Sequence, residues 1–192
     1  EENPAKKVKF ASFGTKELLQ AGDQSAENKL RDYYNNYNNQ SVEQELYFLK
    51  GMLSFARNDN DRYLATLEKI VELDPSDTEM RFSLAYKYSE LNQKRLAVFH
   101  YEILLKKEPN HVSALNNLGV AYSDLGIETL AVNYYKKAKD AGSSLASANL
   151  AYKLIGEGFL EEANKILDEI SESEYVHENV QSAKARVKEL IK

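Results

Sequence analysis

The sequence of 192 residues contains no cysteine and no tryptophan, and only 3 of its residues are proline. Without cysteine the chain has no disulfide, no thiolate nucleophile and no cysteine-ligated zinc site. The sequence is compatible with an oxidising or a reducing compartment, because a chain without cysteine is stable in both. The scarcity of proline favours a mostly helical chain, since proline interrupts helix interiors.

Long apolar runs are missing as well. A bilayer-spanning helix needs roughly 20 predominantly apolar residues, and Lys or Glu interrupts every candidate run in this chain. We therefore expect no segment of it to insert into a membrane. The net charge of −5 argues against a nucleic-acid partner, because proteins that bind nucleic acid usually carry a basic face. The hydrophobic fraction of 43% and the charged fraction of 29% are ordinary for a folded protein rich in helix.

The first residue is Glu1 and not methionine. Either a leader has been removed, or the chain is part of a longer protein. A cytoplasmic location is slightly favoured, and the bacterial cell envelope stays open because a leader would not be visible.

The sequence repeats itself with a period of 34 residues, since Gly51, Ala85 and Gly119 follow one another at that interval. The next small residue of the series, Ala151, comes after 32 residues. Glycine or alanine at a regular place allows two helices to cross closely. Each unit of this length is therefore predicted to contain one pair of helices that must stack on its neighbours to bury its apolar face.

The ends of the helices follow the same rhythm. Pro75 and Pro109 lie 34 residues apart and each is predicted to end a helix. After the first of them, Ser76 or Asp77 is expected to cap the next helix. Gly142 is expected to end another helix, and one of the two serines that follow it to start the next.

The third unit shows the pattern best. Its characteristic residues are Leu115, Leu118, Gly119, Tyr122, Gly126, Ala131, Tyr135 and Ala138. With this pattern the chain resembles the tetratricopeptide repeat family over about residues 41–173, and residues 136–163 have a slight Sel1-like character. The resemblance implies an all-α fold, namely a right-handed superhelix of antiparallel helix pairs with a C-terminal capping helix.

The resemblance divides the middle of the chain into four repeats, at about residues 41–76, 77–110, 111–142 and 143–173. In residues 174–192 the apolar side chains recur at steps of four and three, which predicts a helix with one apolar face. This helix is expected to cap the array, because an array needs a polar outer side at its end. A truncated fifth repeat is the alternative.

Residues 1–40 are expected to form an N-terminal arm and a degenerate helix pair. Phe10 and Phe13 lie in a polar segment of the arm, where they could dock into a groove. The favoured interpretation is an ordered arm that packs on its own repeats.

No group of residues predicts catalysis or a cofactor. The histidines, His100, His111 and His177, lack the spacing of metal ligands. The glycines of residues 156–159 are not followed by the lysine of a phosphate-binding loop. No Ser-His-carboxylate set is recognisable. We therefore expect a protein that is not an enzyme and that binds no cofactor and no metal.

In the family that the chain resembles, the first helix of each pair lines a concave groove that binds an extended peptide or a partner helix. The resemblance implies a peptide-binding groove here too. The residues at the groove places are Phe48, Met52, Phe55, Phe82, Tyr86, Asn116, Asn117, Val120, Asn149 and Tyr152. The early places are mainly aromatic or apolar, which favours a binding surface. The alternative is that residues 1–40 cover these early side chains and make them part of the core.

Asn117 and Asn149 stand at equivalent places one repeat apart. Some grooves of this family use a ladder of asparagines to hold a peptide backbone, because an amide can both donate and accept. The resemblance implies the same role here, with Asn116 and Asn117 outside the core and facing the groove. The basic residues with which chaperone adaptors clamp a C-terminal carboxylate are absent from these places, so chaperone C-termini are not expected ligands.

These observations predict a non-catalytic protein–protein interaction module that binds a peptide or a partner helix. Two alternatives stay open. One is a regulatory or scaffolding domain excised from a larger enzyme or a membrane-associated complex. The other is a structural unit that assembles into a homo-oligomer through its terminal segments.

Overall fold

A computed structural model of the chain describes residues 41–53, 56–170 and 176–191, together with Asn28, Arg31, Asp32 and Asn35. The predicted arm and helix pair of residues 1–40 otherwise lie outside the described residues. Within the described ranges the chain forms helices and no strand. The helices are α1 (Val42–Met52), α2 (Asn60–Leu73), α3 (Thr78–Glu90), α4 (Lys94–Lys107), α5 (Val112–Asp124), α6 (Glu128–Asp140), α7 (Ser144–Gly156), α8 (Leu160–Asp168) and α9 (Glu178–Leu190).

The chain divides into two compact units, a first unit of Glu1–Leu84 and a second unit of Ala85–Lys192. In the first unit α1 packs against α2. The buried side chains on α2 are Leu67, Ile70 and Val71. They recur at steps of three and one, which places them on one face of the helix.

The turn after α2 is built from two aspartates. Asp74 accepts hydrogen bonds from the backbone N–H and the hydroxyl of Ser76, and these bonds lower the pKa of its carboxyl group. Asp77 Oδ1 accepts a bond of 2.9 Å from the backbone N–H of Met80. Of the two candidate caps, Asp77 is therefore the residue that satisfies the first turn of α3.

In the second unit each helix from α4 to α8 packs against the next one in sequence. The crossing of α5 and α6 requires glycine at position 119. A Cβ atom there would lie 2.7 Å from the Cδ1 and Cε1 atoms of Tyr135 and 3.3 Å from the carbonyl oxygen of Ala131. Because Tyr135 is itself buried, its ring has little room to move aside.

The turn between the two helices of a pair uses a left-handed residue at one recurring place. The φ angle is 59° at Asn92, 73° at Gly126 and 85° at Gly158. Glycine adopts this region without a steric penalty, and asparagine is one of the few other residues that tolerate it. Asn92 therefore gives the turn between α3 and α4 the same left-handed conformation that glycine gives the two later turns.

Three helices of the second unit begin at a side chain that accepts from a backbone N–H. Ser143 Oγ accepts a bond of 3.1 Å from Ala146 at the start of α7. At α5 and α9 the acceptor is an imidazole nitrogen: His111 Nδ1 accepts from Ala114, and His177 Nδ1 accepts from Asn179. Serine is an ordinary cap, whereas histidine is an uncommon one.

The last helix, α9, packs against α7 and α8. Its buried residues, Val180, Ala183 and Val187, join one apolar cluster with Ala151 and Leu167. Gln181, Ser182, Arg186 and Lys188 lie exposed on its other side. This helix covers an apolar face of the preceding pair and presents a polar face outward, as expected of a capping helix.

Candidate functional site

Three asparagines and one tyrosine of the second unit form a continuous chain of hydrogen bonds. Asn149 Nδ2 on α7 donates to Asn116 Oδ1 on α5 over 3.0 Å. Asn116 Nδ2 donates to Asn117 Oδ1 over 3.2 Å. Asn117 Nδ2 then donates to the Tyr101 hydroxyl on α4 over 3.2 Å. This set of four residues, here called the amide chain, joins α4, α5 and α7.

Asn116 occupies the middle of the amide chain and is only 4% exposed. The prediction that Asn116 lies outside the core is therefore wrong. The physical reason is that its carbonyl and its amino group both find amide partners, so burial leaves neither without a hydrogen bond. Asn117 and Asn149 are half-buried and lie on either side of it in the chain.

Tyr101 ends the amide chain and its side chain is fully buried. Burial raises the pKa of the Tyr101 hydroxyl, and hydrogen bonds with Asn117 and Ser89 oppose that rise. The sequence pattern assigns Tyr101 to packing only, since an aromatic residue is usual at this place. Nothing in the sequence indicates that its hydroxyl joins a chain of hydrogen-bonded amides.

An exposed apolar row runs beside the amide chain. It consists of Tyr86 on α3, Val120 on α5 and Tyr152 on α7, which are 49%, 38% and 39% exposed. Val120 comes four residues after Asn116, and Tyr152 three residues after Asn149, so each shares a helix face with an amide. We call these three residues the apolar row. All three are among the groove residues expected from the sequence, and all belong to the second unit.

Ion pairs tie neighbouring helices together in the same unit. Lys153 on α7, next to Tyr152, pairs with Glu128 at the start of α6 with Nζ and Oε2 2.8 Å apart. Lys94 at the start of α4 pairs with Asp124 at the end of α5 over 2.7 Å. These pairs are partly exposed, so each contributes little to stability.

The expected groove residues of the first unit are less accessible. Met52 is only 4% exposed, and Phe48 and Phe82 are half-buried. Phe55 lies outside the described residues. Met52 is thus a core residue at the end of α1, which packs against α2, and the expectation that it lines an open groove is wrong.

Neither a metal-binding cluster nor a membrane-spanning helix occurs among the described residues. No cluster of three or more His, Asp or Glu side chains in this part of the chain could hold a metal ion. Over the same residues, no helix has both the length and the apolar character needed to cross a membrane.

Comparison with known proteins identifies the repeat and the fold. A family model described as "Tetratricopeptide repeat" matches residues 112–141. A tetratricopeptide repeat protein from Parabacteroides merdae superposes with a TM-score of 0.76 at 18% identity, over 98% of this chain and 73% of that one.

Two further solved structures agree. MamA residues 41 to the end from Desulfovibrio magneticus gives a TM-score of 0.69 at 17% identity, covering 89% of this chain and 95% of that one. PilF from Pseudomonas aeruginosa gives 0.69 at 12% identity, covering 96% and 86%. The predicted all-α fold of tetratricopeptide-type helix pairs is confirmed. The Sel1-like character of the fourth repeat stays a prediction.

Proposed function

Because residues 112–141 match a tetratricopeptide repeat and the fold consists of tetratricopeptide-type helix pairs, we propose that this chain is a non-catalytic protein–protein interaction module that holds a peptide or a partner helix along the apolar row. The observation that carries the proposal is the recurrence of exposed apolar side chains at equivalent places of three successive repeats, Tyr86, Val120 and Tyr152. Isolated exposed apolar residues are common on any protein, but a row of them beside polar groups is typical of an interaction site.

The apolar row supplies affinity in this proposal. Tyrosine offers a large contact area with little conformational freedom to lose, which makes it a frequent anchor in interfaces. A partner helix with apolar residues three or four positions apart, or an extended peptide with alternate apolar side chains, would match the row.

The amide chain supplies orientation. Most of its hydrogen-bonding capacity is already used internally, so a two-rung ladder of free amides is not what a partner meets. Asn149 Oδ1 accepts no hydrogen bond from the described residues. We propose that this oxygen accepts an N–H from the partner backbone, and that the remaining amides hold Asn149 in place.

The experiment first selects peptides that bind the chain and then compares their affinities for the wild type and for matched variants. Peptides are selected from a random displayed library against the full chain, and their affinities are then measured by fluorescence anisotropy. Tyr152→Ala and Val120→Ser should each weaken the selected peptides by about tenfold, or about 1.4 kcal/mol. Phe159→Ser is the control, because Phe159 is 51% exposed but lies outside the row.

Equal affinity of the row variants and the wild type would overturn the proposal, as would a selection that enriches no peptide. Exposed positions of this kind tolerate substitution within about 0.5 kcal/mol of stability, so a lost affinity would not come from unfolding. The alternatives of an excised regulatory domain and a self-assembling unit stay predictions; a molar mass that rises with concentration in light scattering would favour self-assembly.

A further inference from the structure

The spacing of the helices that carry the apolar row follows from their polar contacts. Asn149 on α7 and Asn116 on α5 meet over 3.0 Å through their amide side chains. The Tyr101 hydroxyl bonds with Asn117 on α5 and with Ser89 on α3. Such short side chains meet when helices lie side by side, with about 8–10 Å between their axes. The residues of the apolar row therefore follow one another at steps of about 10 Å, one step per repeat.

A partner segment that follows the row must present side chains at the same step. On one face of a polyproline II helix, side chains recur at every third residue, after about 9.3 Å. On one face of an extended strand they recur after about 6.6 Å, so they coincide with the first and third helices of the row but not with the middle one. In an α-helix, recurrence after seven residues spans about 10.5 Å. Spacing therefore favours a polyproline II segment or an α-helix.

The free acceptor on Asn149 distinguishes these two conformations. Its Nδ2 donates to Asn116, whereas its Oδ1 accepts no hydrogen bond from the described residues. An α-helix uses the N–H groups of its interior for its own hydrogen bonds, so it offers none to this oxygen. A polyproline II segment has no internal hydrogen bonds, and every residue in it other than proline has an N–H to donate. The row and Asn149 together therefore match a polyproline II segment.

The charges along the row are already paired within the chain. Asp124 is the only charged residue of α5, and it pairs with Lys94 over 2.7 Å. Lys153 is the only charged residue of α7, and it pairs with Glu128 over 2.8 Å. On α3 the lysine that follows Tyr86 pairs with the glutamate three residues beyond it. A charged segment would meet no unpaired charge on α5 or α7 and would lose hydration on binding, so an uncharged segment is the complement of this surface.

The two ends of the row are suited to proline. Tyr86 and Tyr152 are 49% and 39% exposed, and the smaller side chain of Val120 lies at the place between them. Proline-rich segments dock in grooves lined by aromatic rings, and they lose little freedom on binding because their conformation is already formed. Prolines at the first and seventh residues of a segment would lie on the two tyrosines, and the fourth residue would lie on Val120.

We propose that the apolar row binds an uncharged, proline-rich segment of a partner protein in the polyproline II conformation, with prolines three residues apart. The inference rests on the proposed function, since it names the partner of the same groove. The proline rings pack on Tyr86 and Tyr152. The N–H of one residue between the prolines donates to Asn149 Oδ1, which fixes the segment along the row.

The test measures fluorescence anisotropy with the full chain and a labelled, uncharged peptide in which three prolines recur at every third residue, separated by alanine and glutamine. The matched peptide has the same composition with its prolines at alternate residues, which places them on different faces of a polyproline II helix. The first peptide should bind saturably and about tenfold more tightly than the second. Sodium chloride should leave its affinity unchanged, because no exposed charges are paired on binding.

Variants locate the peptide on the row. Tyr152→Ala should weaken the first peptide about tenfold. Tyr152→Phe should retain its affinity, because the ring and not the hydroxyl makes the contact. Phe159→Ser is the control outside the row and should leave the affinity unchanged.

The role of Asn149 is tested by methylating the backbone nitrogens of the alanine and glutamine residues of the peptide, one at a time. One of these methylations should weaken binding to the wild type by about fivefold or more, because it removes the N–H that donates to Asn149 Oδ1. The same methylation should have no such effect on binding to Asn149→Ala, so the two changes should be coupled in a double-mutant cycle.

Equal affinity of the two proline peptides would overturn the inference, and so would methylations that act alike on the wild type and on Asn149→Ala. The peptides selected from the library test the proposed function separately. If Tyr152→Ala weakens those peptides but the proline peptide does not bind, the inference is wrong and the proposed function stands. If Tyr152→Ala leaves the selected peptides unaffected, the proposed function itself is wrong. Circular dichroism of each variant establishes that the helices are retained, so that a lost affinity refers to the folded chain.

Discussion

Asn149 and Asn116, 33 residues apart in sequence, are joined by a hydrogen bond of 3.0 Å from Nδ2 to Oδ1. The bond connects α7 to α5, that is, the first helices of two successive pairs. Asn116 in turn donates to Asn117, and Asn117 donates to the Tyr101 hydroxyl. Every amide in the series thus donates in one direction, and neighbouring repeats are held in register by polar contacts as well as by apolar packing.

Replacing Asn116 by alanine should lower the free energy of unfolding by about 1–3 kcal/mol, because it leaves the amino group of Asn149 and the carbonyl of Asn117 without their partners in a half-buried place. Urea denaturation followed by circular dichroism measures the effect. Asn133→Ala on the exposed side of α6 is the control and should stay within about 0.5 kcal/mol of the wild type. Equal midpoints for the two variants would mean that the amide chain contributes nothing to stability.

Gly119→Ala should destabilise the chain by about 1–3 kcal/mol through overpacking. The added Cβ would lie 2.7 Å from two ring atoms of Tyr135, and a ring enclosed by packed helices cannot move away without cost. Thermal and urea unfolding measure the loss. In combination with Tyr135→Leu the penalty should shrink, giving a favourable coupling in a double-mutant cycle; purely additive losses would show that the ring is not the obstacle.

The same substitution should act differently at two other glycines. Gly126 has a φ of 73° with no atom within 4 Å of an added Cβ, so Gly126→Ala should cost about 1–2 kcal/mol from backbone strain alone. Gly156 also has open space but no positive φ, and it is the last residue of α7. Gly156→Ala should therefore be neutral or stabilise by up to about 1 kcal/mol. A loss at both glycines, or at neither, would contradict the assignment of the cost to φ.

Stability should fall in alkaline solution as buried tyrosines ionise. Burial, followed by the nearby carboxylates of Asp124 and Glu128, raises the pKa of Tyr135 from its usual 10.0 to about 12. Burial likewise raises the pKa of Tyr122 and Tyr134. Because the folded-state pKa exceeds the unfolded one, the unfolded chain loses these protons first. Below pH 10 Tyr135 is protonated in both states, so its ionisation adds no pH dependence to the free energy of unfolding. Between pH 10 and 12 the free energy of unfolding should decrease.

Urea unfolding across that pH range measures the decrease, and tyrosinate absorbance should show ionisation of the folded chain delayed relative to the unfolded one. Tyr135→Phe removes one of the titrating groups and should make the decrease less steep. An unchanged slope in this variant would mean that Tyr135 does not ionise on unfolding in this range.

The regular parts of the fold are predictable because they depend on local chemistry. Gly119 is required at the helix crossing, and Ser143 follows a glycine turn and caps a helix, as its place in the repeat indicates. The burial of Asn116 is not predictable in this way. Periodicity predicts the helix face on which Asn116 lies. It does not predict that Asn149, in the next helix pair, donates a hydrogen bond to the Asn116 carbonyl.

The same limit applies to the residues of the candidate groove. Of the groove residues expected from the sequence, Tyr86, Val120 and Tyr152 are exposed together, whereas Met52 is enclosed, since burial depends on how the helices of a pair approach. The hydrogen bond from the Tyr122 hydroxyl to Glu102, 20 residues away in sequence, is likewise something that no spacing rule anticipates.

The caps of the second unit divide its helices into two classes by the chemistry of the accepting atom. At α5 and α9 the acceptor is an imidazole Nδ1, whereas at α7 it is a serine oxygen. An imidazole Nδ1 accepts only when the hydrogen of the neutral ring is on Nε2, whereas a hydroxyl oxygen accepts whichever way its own hydrogen points. The starts of α5 and α9 therefore each select one tautomer of a histidine, and the start of α7 makes no such demand.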